Sequence, residues 1–196
     1  LNTLTQAGYA IIAFDYPLAP AAKLEMIMND VESSIQYYID HSDELIKNPK
    51  SSEGSLPYFL WGRSAGAYLC LIAAAKGTYT QAPAADGDLD THYSVYVYAR
   101  QQGNWIDLFY EGREKFFYLD YTLRACDKLP CPLFCAHSTG DTDVPFSEFT
   151  ELSNKYHAKR FIVSGTEHDF DRDTENPFTQ KVLDETVAFI EKCSNK

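Results

Sequence analysis

The stretch that decides the fold is the apolar run Pro57-Tyr-Phe-Leu-Trp61, followed by Gly62-Arg-Ser-Ala-Gly66 and an Ala- and Leu-rich segment that ends near Lys76. The first run favours a strand and the last a helix, so the G-x-S-x-G pattern lies at a strand-to-helix junction. Glycines on either side of the serine allow the strand and the helix to approach closely. The turn raises the hydroxyl above the sheet edge, at the positive end of a helix. The sequence therefore predicts a nucleophile elbow with Ser64 as the nucleophile.

Segments that favour strands alternate with segments that favour helices along the chain, which is the pattern of a parallel sheet covered by helices. The predicted strands are residues 9–14, 57–61, 132–137 and 160–164, and the predicted helices are 24–41, 64–76, 147–157 and 178–192. We therefore expect an α/β fold with a mostly parallel central sheet flanked by helices, in a single domain that spans residues 1–196.

The composition excludes some classes of function. The chain of 196 residues carries a net charge of -11, and an acidic surface repels phosphate backbones, so we expect no nucleic-acid partner. No apolar run reaches the ~20 residues that a membrane span requires. The five cysteines are an odd number without C-x-x-C spacing, which favours free thiols in a reducing, cytoplasmic compartment over disulfides or a metal site.

A serine needs a base, and the base needs an acid to orient it. After a nucleophile elbow the chain order is serine, acid, histidine. His168 follows the fourth predicted strand, whereas the other four histidines precede the third strand, end it, or end a helix. Two aspartates, Asp141 and Asp143, follow the third strand, and either could instead cap the next helix. Asp141 is favoured because Gly140 before it permits a sharp exit from the strand.

Four stretches of the chain resemble the motifs of one family. They are Asp15-Tyr-Pro-Leu-Ala-Pro20, Gly62-Arg-Ser-Ala-Gly66, His137-Ser-Thr-Gly-Asp141-Thr-Asp-Val-Pro145 and Gly165-Thr-Glu-His168-Asp-Phe170. They resemble α/β-hydrolase esterases, most closely the hormone-sensitive-lipase-like carboxylesterases and their small bacterial acetyl-esterase relatives. The resemblance leaves residues 78–125 unmatched. The chain departs from the family pattern at positions that do not belong to the triad: Pro17, Ala21, Arg63 and Asp169.

The resemblance implies an α/β-hydrolase fold and a serine carboxylic-ester hydrolase that forms an acyl-enzyme on small or medium acyl esters. Ser64 matches the family's nucleophile, Asp141 its acid and His168 its base, and the N–H of Ala65 matches one oxyanion donor. A small-molecule ester is the implied substrate, and no metal or organic cofactor is implied. Two alternatives stay open: an amidase or peptidase of the prolyl-oligopeptidase type, and an inactive relative that acts as a binding module.

Two further expectations concern segments outside these motifs. The aromatic stretch 93–121 is predicted to form a cap over the acyl pocket, with plain core as an equal alternative. The fold normally opens with further strands and a loop that completes the oxyanion hole, so we expect an upstream segment. A buried strand is expected after the elbow helix, but acidic turn residues follow it, so we also expect a break in the sequence near Ala84-Ala85. An uncovered sheet edge would expose an apolar strand to pairing with other chains, which soluble proteins avoid, and this also favours an upstream segment. A second copy of this chain is a further candidate partner.

Overall fold

A computed structural model of the protein describes residues 2–19, 21–47, 56–76, 123, 126 and 128–194. The predicted cap at 93–121 and the predicted break at Ala84-Ala85 lie outside the described residues, so both stay predictions. Helices and strands alternate from the fourth helix to the end of the described part, whereas the first four elements are all helices. In chain order the elements are α1 (Asn2–Gln6), α2 (Leu24–Asp40), α3 (Ser42–Leu45), α4 (Ala65–Lys76), β1 (Phe134–Ser138), α5 (Phe146–Lys155), β2 (Lys159–Val163) and α6 (Pro177–Ser194).

The two strands in the described part of the chain form a parallel pair. Their register runs from Phe134 opposite Lys159 to Ser138 opposite Val163. Parallel neighbours need a crossover between them, and α5 supplies it. The carboxyl ends of β1 and β2 therefore meet at the same edge of the sheet, and the loops that leave this edge carry Asp141 and His168.

The side chains of β1 alternate between two apolar layers, because successive residues of a strand point to opposite faces. Cys135 belongs to a cluster with α2, α4 and α5, whereas Phe134 packs with Val163 and the buried face of α6. β1 is thus covered on both faces, as expected of a strand in a helix–sheet–helix sandwich. The apolar positions at steps of three and four in α2 are buried as the sequence predicts; they include Leu24, Ile27, Met28, Val31 and Ile35.

Two of the four predicted strands are wrong within the described residues. Neither segment 9–14 nor segment 57–61 forms a strand in the part of the chain that the structure describes. The rings of Tyr9 and Phe59 meet edge to face with centroids 6.0 Å apart, so the two segments are in contact at that point. Segment 9–14 is also not buried, since Ile12 is 41% exposed. An apolar run shows a tendency to pack, but a strand also requires a partner in register, and that partner is set by the rest of the fold.

The described helices include none that is long and apolar enough to cross a membrane.

Candidate active site

Ser64 lies on a tight turn immediately before α4, at the position that the sequence predicts. Its backbone has φ of 54°, in the left-handed region that non-glycine residues rarely adopt. Hydrogen bonds fix the turn: the N–H of Gly66 donates to the carbonyl of Arg63, and the N–H groups of Ala67 and Tyr68 donate to the carbonyl of Ser64. A left-handed residue costs roughly 1–2 kcal/mol and persists where the surrounding structure requires it. The backbone therefore forms the tight turn that the G-x-S-x-G pattern predicts at Ser64.

The two glycines of the motif are not equivalent. A Cβ atom at Gly62 would lie 2.3 Å from the carbonyl oxygen of Gly66 and 2.6 Å from the backbone nitrogen of Ala67. At Gly66, no described atom lies within 4 Å of such a Cβ. The sequence predicts that both glycines permit the strand and helix to approach, and only Gly62 has that role here.

The N–H of Ala65 lies at the start of α4, directly after Ser64. The first N–H groups of a helix have no partner within the helix. No acceptor for this N–H is found among the described residues. Together with the partial positive charge of the helix N-terminus, this N–H can stabilise an oxyanion that forms beside the serine.

Asp141 and His168 are in direct contact. Nδ1 of His168 lies 2.7 Å from Oδ2 of Asp141. The Asp141 carboxylate is buried, while the His168 side chain is 19% exposed, so the imidazole is held at Nδ1 without being fully buried. The second oxygen of Asp141 accepts hydrogen bonds from the N–H groups of Asp143 and Val144, at 2.8 and 3.0 Å. The acid is therefore fixed at both oxygens, and it fixes the tautomer of His168 with Nδ1 as the donor.

The loops that carry the acid and the histidine are joined beyond the sheet. The N–H of Thr139 donates to the carbonyl of Val163, and the N–H of Gly140 donates to the carbonyl of Gly165 at 2.7 Å. The hydroxyl of Ser138 donates to the carbonyl of Glu167. A Cβ at Gly140 would lie 2.9 Å from the carbonyl oxygen of Gly165, so this close approach needs a glycine. The parallel pairing thus continues into the loops and sets the separation of Asp141 and His168.

A second imidazole, His137, lies behind the acid. It is buried, it stacks on Phe149 with ring centroids 5.4 Å apart, and its Nε2–H donates to the carbonyl of Val144. Burial lowers the pKa of His137, and His168 lowers it further, although the Val144 carbonyl and Asp141 act in the opposite direction. His137 is therefore favoured in its neutral form. Its Nε2 is 3.6 Å from Oδ2 of Asp141, too far for a hydrogen bond, so that oxygen is left for His168.

Three side chains could bring ligand atoms to a cation. One atom each from Asp141, Asp143 and His168 lies within 4.8 Å of the others. Both oxygens of Asp141 are, however, already used by His168 and by two backbone N–H groups. This arrangement fits a carboxylate that orients an imidazole better than a metal ligand. Asp143, the alternative acid, is exposed and uses its own N–H to bind Asp141.

Sequence reasoning missed one contact at the site. Nε and Nη2 of Arg63 donate to Oδ2 of Asp171, at 2.9 and 2.5 Å. Arg63 immediately precedes Ser64, and Asp171 lies in the loop of His168, so the contact brings the elbow next to that loop. Arg63 is a departure from the family pattern, which marks it in the sequence, but no pattern identifies its distant partner.

The cysteine nearest to the elbow in sequence does not offer a competing nucleophile. None of the five cysteines takes part in a disulfide. Cys70, in α4, is the one that follows the elbow most closely, and desolvation raises the pKa of its thiol to about 12. A thiol with that pKa is not ionised near neutral pH, so it is a poor nucleophile.

Known structures have the same fold. The chain is similar to an alpha/beta hydrolase superfamily protein from Enterococcus faecalis, with 21% identity and a TM-score of 0.72 over 97% of this chain and 82% of that one. It is also similar to a thermophilic esterase from Thermogutta terrifontis, with 19% identity and a TM-score of 0.63 over 91% of this chain and 70% of that one. A third similar structure is the inhibited esterase B from Lactobacillus rhamnosis, with 15% identity and a TM-score of 0.70 over 99% of this chain and 70% of that one. No curated protein sequence matches the chain.

The fold is therefore that of an α/β hydrolase, as the sequence resemblance implies. The BD-FAE family model matches residues 1–107, which is more than half of the chain and includes the G-x-S-x-G turn. The chain belongs to the BD-FAE family.

Proposed function

We propose that this protein is a serine carboxylic-ester hydrolase in which Ser64, His168 and Asp141 form a catalytic triad. The observation that carries the proposal is the 2.7 Å contact between Nδ1 of His168 and Oδ2 of the buried Asp141. It leaves the other ring nitrogen of His168 available as a base, on the loop that Arg63 joins to the elbow. Two of the similar structures are described as esterases, which supports an ester over an amide as substrate.

The chemistry follows from these positions. Nε2 of His168 takes the proton of the Ser64 hydroxyl as its oxygen attacks the ester carbonyl carbon. The carbonyl oxygen becomes an oxyanion, which accepts a hydrogen bond from the N–H of Ala65. Asp141 stabilises the imidazolium of His168. The C–O bond to the alcohol then breaks, and the leaving oxygen takes the proton from His168.

Water completes the cycle. His168 removes a proton from a water molecule as the water attacks the acyl-enzyme carbonyl, and the same imidazole returns the proton to Ser64 as the acid leaves. Every proton thus passes through one nitrogen of one imidazole. No step of this scheme uses a metal or an organic cofactor.

Two measurements test this proposal. A fluorophosphonate probe should modify wild-type protein at Ser64 and leave Ser64→Ala unmodified. A panel of p-nitrophenyl esters of increasing acyl length should then give turnover by wild type and none above background by Ser64→Ala. Labelling without ester turnover, together with cleavage of amide substrates, would favour the peptidase alternative. Neither labelling nor turnover would favour a binding module and would contradict the proposal.

We also propose a reducing, cytoplasmic location and a small-molecule ester as the binding partner. Five cysteines without a disulfide support the first, and a half-buried catalytic histidine at a sheet edge supports the second. Self-association stays a prediction. Size-exclusion chromatography with light scattering of the purified chain tests it directly.

A further inference from the structure

The contact between Arg63 and Asp171 joins two parts of the site that the sheet does not join. Asp141 and His168 stand on loops that leave paired strands, and these loops bond to each other through Gly140 and Gly165. Ser64 stands on the separate turn before α4. The position of the serine relative to the histidine is therefore not set by the β1–β2 pairing, and it depends on the packing of α4 in the core and on contacts between the turn and the histidine loop.

Arg63 is well suited to fix one side of this contact. Two of its N–H groups converge on a single oxygen of Asp171. Its guanidinium carbon also lies 6.0 Å from the centre of the Trp61 ring, within the range of a cation–π interaction. Arg63 belongs to the turn itself, since its carbonyl accepts the N–H of Gly66. Movement of its side chain is thus coupled to the backbone that carries Ser64.

Asp171 is fixed on the other side. Its carboxylate is only 5% exposed, whereas the Arg63 side chain is 34% exposed. The residue before it, Phe170, is buried among the apolar side chains of β1, β2 and α6. The hydroxyl of Thr179, on α6, donates to the carbonyl of Phe170. Asp171 is therefore attached to the core directly beside the loop segment that carries His168.

We propose that the Arg63–Asp171 ion pair is a positioning contact that holds the nucleophile elbow against the histidine loop and so sets the approach of Ser64 to His168. Neither residue exchanges a proton with the substrate. This inference rests on the proposed ester hydrolysis. A charge-assisted pair of this kind is shorter and stronger than a neutral hydrogen bond, and its partly buried position protects it from screening by salt.

The test compares wild type with Asp171→Asn and Arg63→Gln, using kcat and KM for p-nitrophenyl acetate and the rate of fluorophosphonate labelling. Asp171→Asn is the safer variant, because the partly exposed guanidinium that it leaves can be hydrated. Arg63→Gln leaves a buried carboxylate unpaired and is expected to be less stable. We expect kcat to fall roughly 10- to 100-fold, the scale of an ångström misplacement, with KM nearly unchanged.

A matched control lies in the same loop. Arg172 pairs with Asp169 at 2.9 Å, but both side chains are exposed. Arg172→Gln should therefore leave kcat and the labelling rate at the wild-type values. A second comparison uses the His168→Ala background, where Asp171→Asn should have no further effect on labelling, because the contact acts through the imidazole.

The outcomes separate this inference from the proposal that it rests on. A wild-type kcat in folded Asp171→Asn, with active wild type, would overturn the positioning role and leave the esterase proposal standing. A loss of thermal stability with no change in kcat per folded molecule would also overturn it. A wild-type protein that neither reacts with the probe nor hydrolyses esters would overturn both.

Discussion

Replacing Gly62 by alanine is expected to displace the turn that carries Ser64. The new Cβ would lie 2.3 Å from the carbonyl oxygen of Gly66, whereas such contacts in proteins essentially never fall below 3.0 Å. The opposing atoms belong to the backbone of the first turn of α4, so no side chain can rotate away to relieve the contact. The turn and the helix must therefore separate by roughly 0.7 Å or more, the difference between these two distances.

The magnitude follows from this separation. Overpacking typically costs about 1–3 kcal/mol, and a clash between backbone atoms belongs at the upper end of that range. We expect Gly62→Ala to lower the free energy of unfolding by about 3 kcal/mol. A displacement approaching an ångström at the nucleophile should reduce kcat/KM for an ester by up to roughly 100-fold in the protein that remains folded.

Gly66→Ala is the matched control in the same motif. No described atom lies within 4 Å of a Cβ at this position, and Gly66 lies in the first turn of α4. Alanine is favoured over glycine in a helix by roughly 0.5–1 kcal/mol. Urea unfolding and fluorophosphonate labelling should therefore show a large loss of stability and of labelling rate for Gly62→Ala. Gly66→Ala should label at the wild-type rate, with wild-type or slightly higher stability. Equal behaviour of the two variants would refute this reasoning.

Three further predictions concern the side chains of the site. Ser64→Ala should lower ester turnover by about three orders of magnitude or more, and retained turnover would contradict the assignment of Ser64 as the nucleophile. The free energy of unfolding should change little, because serine and alanine meet the same backbone cost at φ of 54°. Asp141→Asn should reduce kcat far more than Asp143→Asn, because Asp141 accepts the Nδ1–H of His168, and equal losses would count against it. His137→Gln should weaken the loss of stability in acid. Because burial lowers the pKa of His137 in the folded protein, the unfolded chain binds that proton first as the pH falls below about 6.5, and wild type then loses stability. Urea midpoints at neutral and acidic pH check this, and identical pH dependences of variant and wild type would contradict it.

Local patterns predicted much of the fold. The apolar face of α2 and the strands β1 and β2 lie close to their predicted positions. They could be predicted because the spacing of apolar residues along a helix face, or in an apolar run, is a property of residues that are close in sequence. The same rule predicts strands at 9–14 and 57–61, and neither segment forms one among the described residues. Pairing depends on residues that are distant in sequence, and a local pattern carries no information about them.

The candidate site was also predictable only in part: its local motifs could be predicted, and contacts between distant residues could not. The G-x-S-x-G turn and the order of serine, acid and histidine led to Ser64, Asp141 and His168, and the predicted contact between the last two is present. The partner of Arg63 could not be predicted, because Asp171 is 108 residues away and stands among several other acidic residues. The sequence also could not predict the different roles of Gly62 and Gly66, because these roles depend on which backbone atoms lie near each α-carbon.

The bonded loops beyond β1 and β2 have a consequence for how relatives of this protein can diverge. Two short chain segments, the tethers, connect the strands to the site: one runs from Ser138 to Asp141 and the other from Val163 to His168. The tethers start at paired residues and are hydrogen-bonded to each other along the way. An insertion or deletion in residues 139–140 or 164–167 would move one partner by roughly 3.3 Å per residue, more than the hydrogen bond between them can tolerate. The connection between the strands is under no such constraint, because α5 could lengthen by a turn without moving either tether. Relatives that keep this pair should therefore conserve the lengths of these two short loops more strictly than the length of the crossover helix.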